Sequence, residues 1–385
     1  MSTPDEPEPA PASWLRPLLP VLAAAFLLRI AILLATDQVE VDLLRYHKVG
    51  THLLDVSWNP YQAPRLYPYP PVWMWVEGGS LWLARATGVS FALLVRLPVL
   101  GAELALVVLL ARMAGSAAAW AYALHPVSLL VSAAHGQFDA VAMLFVLLAL
   151  RAQAARRLDR AALCLAAAIG LKSFPVLLLP AFLLHAPPRA RLRFAALATV
   201  PVAVSLLPFA WHDAGAVARE LFGYGGVADF GWIAIVRAMR YLASGALARA
   251  EAARWAPWVL AAKLAFVAAY AALLAWWWRA RERPSPSAMC LAVLLGFLTL
   301  YGALSAQYLL WVVPLGALAL SRSFAVYSAV STLALCAFYV FLASGVLGVA
   351  APRDLAGAAW AVGVAAQWLA TAAWWRASLR AQVVT

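Results

Sequence analysis

Apolar stretches close to the roughly 20 residues that a helix needs to cross a hydrocarbon core recur along this chain with few gaps. They lie at 18–35, 72–88, 92–111, 116–134, 139–150, 161–185, 194–211, 256–278, 288–304, 307–320, 324–349 and 355–375. Lipid offers no water to a free backbone N–H or C=O, so such segments must close their hydrogen bonds internally, as helices. The expectation is an all-α fold: a polytopic transmembrane bundle forming one integral membrane domain over residues 1–385, with ten or more crossings at about 20 residues each. Of the 385 residues, 65% are apolar and 12% charged, which leaves no material for a large soluble domain. Cys164, Cys290 and Cys336 all lie inside apolar segments without metal-ligand spacing. They read as small buried hydrophobes, not as a disulfide scaffold.

The formal charge of +12 would suggest a nucleic-acid partner in a soluble chain. Here no nucleic acid is expected, because basic residues spread between apolar spans record topology. The acidic, proline-rich start reads as a disordered tail over 1–14, and 18–35 is long enough to stay as a span instead of a cleaved signal. Short connections are crowded with arginine: Arg151, Arg156, Arg157 and Arg160; Arg189, Arg191 and Arg193; Arg279, Arg281 and Arg283; Arg322, Arg376 and Arg380. By the positive-inside rule these face the cytoplasm.

Two consequences follow from that orientation. With 151–160 and 187–193 both inside, 161–185 must enter and return, with its break at Gly170-Leu171-Lys172-Ser173-Phe174-Pro175, and Lys172 must face a polar cavity. With 36–71 outside, one of the segments between 72 and 150 does not span. Residues 72–88, carrying Glu77 and Gly78-Gly79, fit an interfacial helix with its tryptophans at headgroup level. The first external loop, 36–88, then carries juxtamembrane helices. The connection 211–257 is also external, although it holds Arg219, Arg237, Arg240, Arg249 and Arg254. Long loops translocate regardless of charge, and an anionic lipid phosphate is a natural partner for these arginines.

Four constellations offer chemistry. Asp42, Arg45 and Tyr46 stand at i, i+3 and i+4, so a short helix presents them on one face, where Asp42 serves as a general base oriented by Arg45. The plain alternative is a solvated loop with ordinary surface charges. His135-Gly136-Gln137-Phe138-Asp139 opens a short apolar span, with His135 and Asp139 one turn apart. Polar groups there are costly unless paired or functional, and the alternative is capping and bundle hydrogen bonding. Lys172 at a broken-helix apex suits a phosphate leaving group, or else snorkels to an interface. Gln307 and Tyr308 are placed to hydrogen-bond a sugar or phosphate, while an aromatic belt explains Trp311. Arg29, Glu103 and Lys263, charges within spans, read as structural pairs.

No phosphate loop, dinucleotide fingerprint, His/Cys metal spacing or Gly-x-Ser-x-Gly elbow is present, so a soluble nucleotide-sugar site is unsupported. The ordered set Asp42-x-x-Arg45-Tyr46, Asn59-Pro60-Tyr61, Tyr67-Pro68-Tyr69-Pro70-Pro71, His135-Gly136-Gln137-Phe138-Asp139, Gly170-Leu171-Lys172-Ser173-Phe174-Pro175 and Gln307-Tyr308-Leu309-Leu310-Trp311 resembles the GT-C superfamily of polytopic glycosyltransferases. More narrowly it is similar to bacterial mannosyltransferase-like proteins related to the second GPI mannosyltransferase and to the glucosyltransferases of the N-glycan pathway, over about residues 18–320.

The resemblance implies helices lying along the membrane above a cavity that opens to lipid. It implies transfer of a hexose, mannose or glucose, from a polyprenyl phosphate donor to a lipid-linked or glycan acceptor. The site would face the non-cytoplasmic side of a bacterial inner membrane. Asp42 matches the catalytic acid of the family, with Asp37 and Glu40 as near neighbours for the same role. Glu40, Arg45, Tyr46, His135, Gln137, Asp139, Gln307 and Tyr308 would bind substrate, and Lys172 and the arginines of 211–257 would hold the phosphate. Family members with paired acidic residues use a metal. Here Leu43 follows Asp42, so no cofactor is assigned and a divalent metal is left open. The rival readings are a transporter or lipid flippase, which also uses buried charge and broken helices but usually shows internal repeats, and a non-catalytic membrane subunit.

Overall fold

The computed structural model describes residues 16–36, 41–223, 225–248, 250, 252–349 and 351–384. Asp37, Glu40, Arg249 and the 1–14 tail, all named above, lie outside the described residues. The chain runs as α1 (Leu19–Ala35), α2 (Val41–Asp55), α3 (Val72–Thr87), α4 (Phe91–Ala114), α5 (Ser116–Ala123), α6 (Pro126–Ser128), a π-helical turn (Leu129–Ala134), α7 (Asp139–Ala154) and α8 (Leu158–Leu171). A second half follows: α9 (Leu179–His185), α10 (Arg191–Phe222), α11 (Trp232–Ser244), α12 (Ala256–Arg279), α13 (Pro286–Leu300), α14 (Val313–Ala317), α15 (Arg322–Phe341), α16 (Ser344–Leu347) and α17 (Arg353–Val384). Phe230 and Leu304 form an antiparallel bridge, and no extended strand occurs among the described residues.

The all-α bundle is as expected, but the number of full-length crossings is smaller. Among the described residues, six helical stretches are long and apolar enough to cross a membrane: Arg16–Ala35, Phe91–Ala114, Pro188–Phe222, Ala256–Arg279, Arg322–Phe341 and Arg353–Gln382. The pair Ser116–Ala123 and Pro126–Ala134, bent by 43°, makes a seventh if counted as one span. The other apolar segments are divided into shorter helices by Gly, Pro and buried polar residues, which hydropathy alone averages away. Helices such as α10 and α12 leave Leu192, Leu207, Leu260, Leu264 and Val267 exposed, as a helix apolar on all sides does where its solvent is lipid. Their length agrees with that environment.

The 161–185 segment is interrupted where expected: α8 stops at Leu171, Lys172 is extended, and a 3-10 turn over Phe174–Leu178 leads into α9. Helix α10 is broken too. Asp213 leaves helical geometry, and its Oδ1 accepts from the Ala216 N–H at 2.8 Å, so it caps a second helix within the 211–257 connection. Helix α3 packs against α2 and α4 and is not among the spans. Its tryptophans differ in surroundings: Trp75 and Trp82 are exposed, whereas Trp73 is buried and stacked on Phe138 with centroids 4.3 Å apart. Of the cysteines, Cys290 is buried and Cys164 and Cys336 are half-buried.

Candidate active site

Arg96, fully buried in α4, assembles the first part of the site. It donates to the Leu33 and Thr36 carbonyls at the end of α1, to the Thr36 hydroxyl and to the Ala133 carbonyl, at 2.9–3.1 Å. A cation there meets the negative ends of two helical segments, where it is most stabilising. It ties the exit of α1 to the turn that carries His135. That turn then reverses at Gly136, whose φ of +80° suits glycine. A Cβ at Gly136 would come within 2.8 Å of Leu43, so the turn fits flush on α2 only as glycine.

The consequence is a clamp on Asp42. His135 Nε2 lies 2.9 Å from Asp42 Oδ2, and Gln137 Nε2 donates to the same oxygen at 2.5 Å. Tyr46 donates to Gln137 Oε1 at 3.0 Å, which fixes the amide orientation, and His135 Nδ1 is 3.1 Å from the Tyr339 hydroxyl. Asp42 Oδ1 makes no hydrogen bond among the described residues, and the side chain is 21% exposed. One oxygen is held and the other is open. Burial pushes the Asp42 carboxyl up, but the hydrogen bond and charge of His135, with Arg45 and Lys172 farther off, outweigh it and hold the group below the usual carboxylate range.

Several expectations change here. Arg45 does not orient Asp42: it is exposed and acts on the carboxylate only through its charge, because on α2 the i+3 side chain turns outward while Tyr46 at i+4 turns in. His135 and Asp139 do not share a helix face, since the chain reverses between them at Gly136 and Asp139 begins α7. They serve two neighbouring clusters.

The second cluster is centred on Asp139. Lys172 Nζ donates to its Oδ2 at 2.6 Å and Trp311 Nε1 to its Oδ1 at 2.6 Å. The ammonium also lies 4.3 Å from the Phe138 ring centroid and 5.0 Å from that of Tyr69, placements that favour a cation. Lys172 is thus neither stranded nor snorkelling. It is 3% exposed and sits in the wall of a cavity of about 250 Å³ lined also by Tyr69, Phe174, Tyr301, Tyr308 and Trp311. Trp311 is not a belt residue: it is buried, stacked 3.8 Å from Phe174 and bonded to Asp139. Tyr308 stacks on Trp311 at 4.3 Å. Gln307, next to it, is 7% exposed.

None of the described arginines of 211–257 lines the cavity that holds Lys172. Arg237 is buried, pairing with Asp229 at 3.0 Å and donating to the Ala228 and Ala248 carbonyls. Arg219 is exposed, 3.9 Å from Glu220. Arg240 lies over Trp255 and, with Arg254, lines a separate cavity of about 470 Å³. Arg29 pairs with Glu103, while Lys263 has no partner among the described residues.

Sequence reasoning missed Asp229, Tyr339 and Arg96. Asp229 sits on the loop 225–231, which presses against 302–304 so closely that a Cβ at Gly226 or Gly231 would fall 2.4 Å from a carbonyl oxygen. The glycine-rich run Gly225-Gly226-Val227-Ala228-Asp229-Phe230-Gly231 was the available signal. Burial, and the nearby charge of Asp42, push the Asp229 carboxyl up to about 6 against the pull of Arg237. No group of three or more His, Cys, Asp or Glu fit to hold a metal occurs among the described residues.

Residues 67–302 match the model of glycosyltransferase family 87. Among solved structures, ArnT from Cupriavidus metallidurans bound to undecaprenyl phosphate is similar at a TM-score of 0.45 and 15% identity, covering 93% of this chain and 76% of that one. No curated protein matches.

Proposed function

Since the chain belongs to glycosyltransferase family 87, and with it to the GT-C polytopic glycosyltransferases, we propose that it moves a hexose, mannose or glucose, from a polyprenyl phosphate to a lipid-linked or glycan acceptor on the non-cytoplasmic side of the membrane. The family favours an enzyme over the transporter and non-catalytic readings. The observation that carries the proposal is the asymmetric Asp42 carboxylate, with Oδ2 gripped by His135 and Gln137 and Oδ1 without a hydrogen-bonding partner among the described residues.

In this reaction an acceptor hydroxyl gives its proton to Asp42 Oδ1 as its oxygen bonds to the sugar C1. The bond from C1 to the phosphate oxygen breaks, and polyprenyl phosphate leaves with the electron pair. A carboxylate held below the usual range is ionised at neutral pH and ready to accept the proton. His135 and Gln137 keep the held oxygen in place so that the free one is aimed without further ordering. Lys172 and the aromatic cavity around it suit the leaving phosphate and the first prenyl units. Asp139 neutralises the lysine in the resting protein, and a dianionic leaving group would draw the ammonium toward itself. No step calls for a nucleotide. Glu40, outside the described residues, remains proposed for substrate binding, and Arg45 for long-range charge only.

The test is a donor panel. Purified protein in lipid is incubated with radiolabelled polyprenyl phosphate mannose, glucose and other sugars. Consumption of one donor with release of polyprenyl phosphate is expected. Consumption of none, by well-folded protein supplied with lipid-linked and glycan acceptors, would reject the proposal.

A further inference from the structure

The bridge between Phe230 and Leu304 has a consequence for the residues beside it. Phe230 N–H donates to the Leu304 carbonyl at 2.8 Å and Leu304 N–H to the Phe230 carbonyl at 3.1 Å. Asp229 ends the turn that enters this bridge and Ser305 directly follows Leu304, so the bridge brings the two residues to one edge of the contact. Phe230 rests on Phe338 at 5.5 Å, and the following residue, Tyr339, holds His135. This edge therefore stands beside the Asp42 cluster, close enough for Asp229 to interact electrostatically with both Asp42 and His135.

Three polar groups here have unused capacity. Arg237 takes only Oδ1 of Asp229, leaving Oδ2 open. Ser305 is 6% exposed and Gln307 7%, yet neither side chain has a hydrogen-bond partner among the described residues, and neither polar end is sealed from open space. Because their hydroxyl and amide reach open space, they keep their hydrogen-bonding capacity for water or for a bound group. A carboxylate oxygen, a hydroxyl and a primary amide together accept from and donate to neighbouring hydroxyls, as a sugar ring presents them. A phosphate would be repelled by Asp229, and an alkyl chain would leave all three unsatisfied.

Resting on the glycosyltransferase reading above, we propose that Asp229, Ser305 and Gln307 form a sugar-hydroxyl subsite beside Asp42, separate from the Lys172 cavity that suits the phosphate. The shared chemistry is a ring bearing adjacent hydroxyls, and it belongs either to the sugar being transferred or to a sugar on the acceptor.

The test compares the parent with Ser305→Ala, Gln307→Ala and Asp229→Asn in lipid nanodiscs. Undecaprenyl phosphate mannose or glucose serves as donor and octyl α-mannoside as acceptor. Donor hydrolysis by water is followed in parallel. Because the Ser305 and Gln307 side chains make no hydrogen bond among the described residues, their variants should keep the parental melting temperature while one KM rises by about 10-fold, the loss of one or two hydrogen bonds. A rise in donor KM that also shows in hydrolysis assigns the donor sugar. A rise confined to octyl α-mannoside assigns the acceptor sugar. Unchanged KM values for both substrates in both alanine variants overturn the subsite.

Binding is read separately by thermal shift with octyl α-mannoside and with octanol. If the parent turns over no donor, the proposed function falls. The subsite still stands if the mannoside alone stabilises the parent and the alanine variants lose that shift. It falls if no shift is seen in an inactive parent.

Discussion

Two buried acid–base pairs in this molecule have opposite designs. Arg29 and Glu103, deep between α1 and α4, are each 1% exposed and 2.9 Å apart, and Ser128 bonds to both. Asp42 and His135 are equally close at 2.9 Å but 21% and 9% exposed, and the second carboxylate oxygen makes no hydrogen bond among the described residues. Neither pair is fully satisfied: Glu103 Oε1 and Arg29 Nε also lack a hydrogen bond among the described residues, but both atoms are sealed inside the bundle. The free Asp42 oxygen is not sealed, which leaves it for chemistry. What separates a structural from a reactive buried charge here is therefore access to the unpaired atom, and not distance.

The sharpest way to break that contrast is Asp42→Asn. It keeps the shape and removes the base, so turnover should fall about 10²- to 10⁴-fold with normal expression and melting. Parental turnover in this variant would return Asp42 to an ordinary surface role. For the closed pair the effect should move to stability. Glu103→Ala strands the Arg29 cation and should cost about 3–5 kcal/mol, read by thermal melting in detergent. The surviving folded fraction should turn over at the parental rate, and a specific-activity loss without destabilisation would contradict the structural assignment.

Lys172 and Asp139 share features of both designs, being closed yet set in a cavity wall. Lys172→Met should destabilise the fold, and adding Asp139→Asn should restore the melting temperature. Donor KM should stay raised in the double variant by about 10- to 100-fold, the worth of a hydrogen bond to a charged group at about 1.5–3 kcal/mol. Recovery of donor KM together with stability would make the lysine purely structural.

The smallest effect concerns pH. His135 supplies the strongest influences that lower the Asp42 pKa, and burial works the other way. His135→Gln should therefore let that pKa rise, and the acid limb of kcat/KM should move to higher pH. The same sign governs stability. A depressed carboxyl stabilises the fold above its ordinary value of 3.8 and loses that contribution as pH falls through the folded value. A limb that stays in place or moves down would show that His135 does not tune Asp42.

Local signals were legible where they act locally. The short helix at Asp42, the break at Lys172 and the cost of placing His135, Asp139 and Lys172 among apolar residues could be read from spacing and hydropathy, whereas Asp42 was set apart from an ordinary surface charge only by the family resemblance. What could not be read was partnership. Arg45 looked like the orienting group because it is near in sequence, but His135 and Gln137, more than 90 residues away, take that role. Trp311 looked like a belt residue until Asp139 supplied its acceptor across 172 positions. Asp229 was marked only by the glycine-rich run around it, because its place depends on two glycines lying against a distant carbonyl edge.

The chain by itself determined its solvent, its helical class and the stock of polar groups that lipid could not absorb unpaired, because those follow from composition and from the backbone's need for internal hydrogen bonds. Only the tertiary structure decided which of those groups are sealed inside the bundle and which keep an unpaired oxygen or amide within reach of open space. Pairing between residues far apart in sequence depends on how helices pack, and that choice divides Glu103, which supports the bundle, from Asp42, which is placed to act on a substrate.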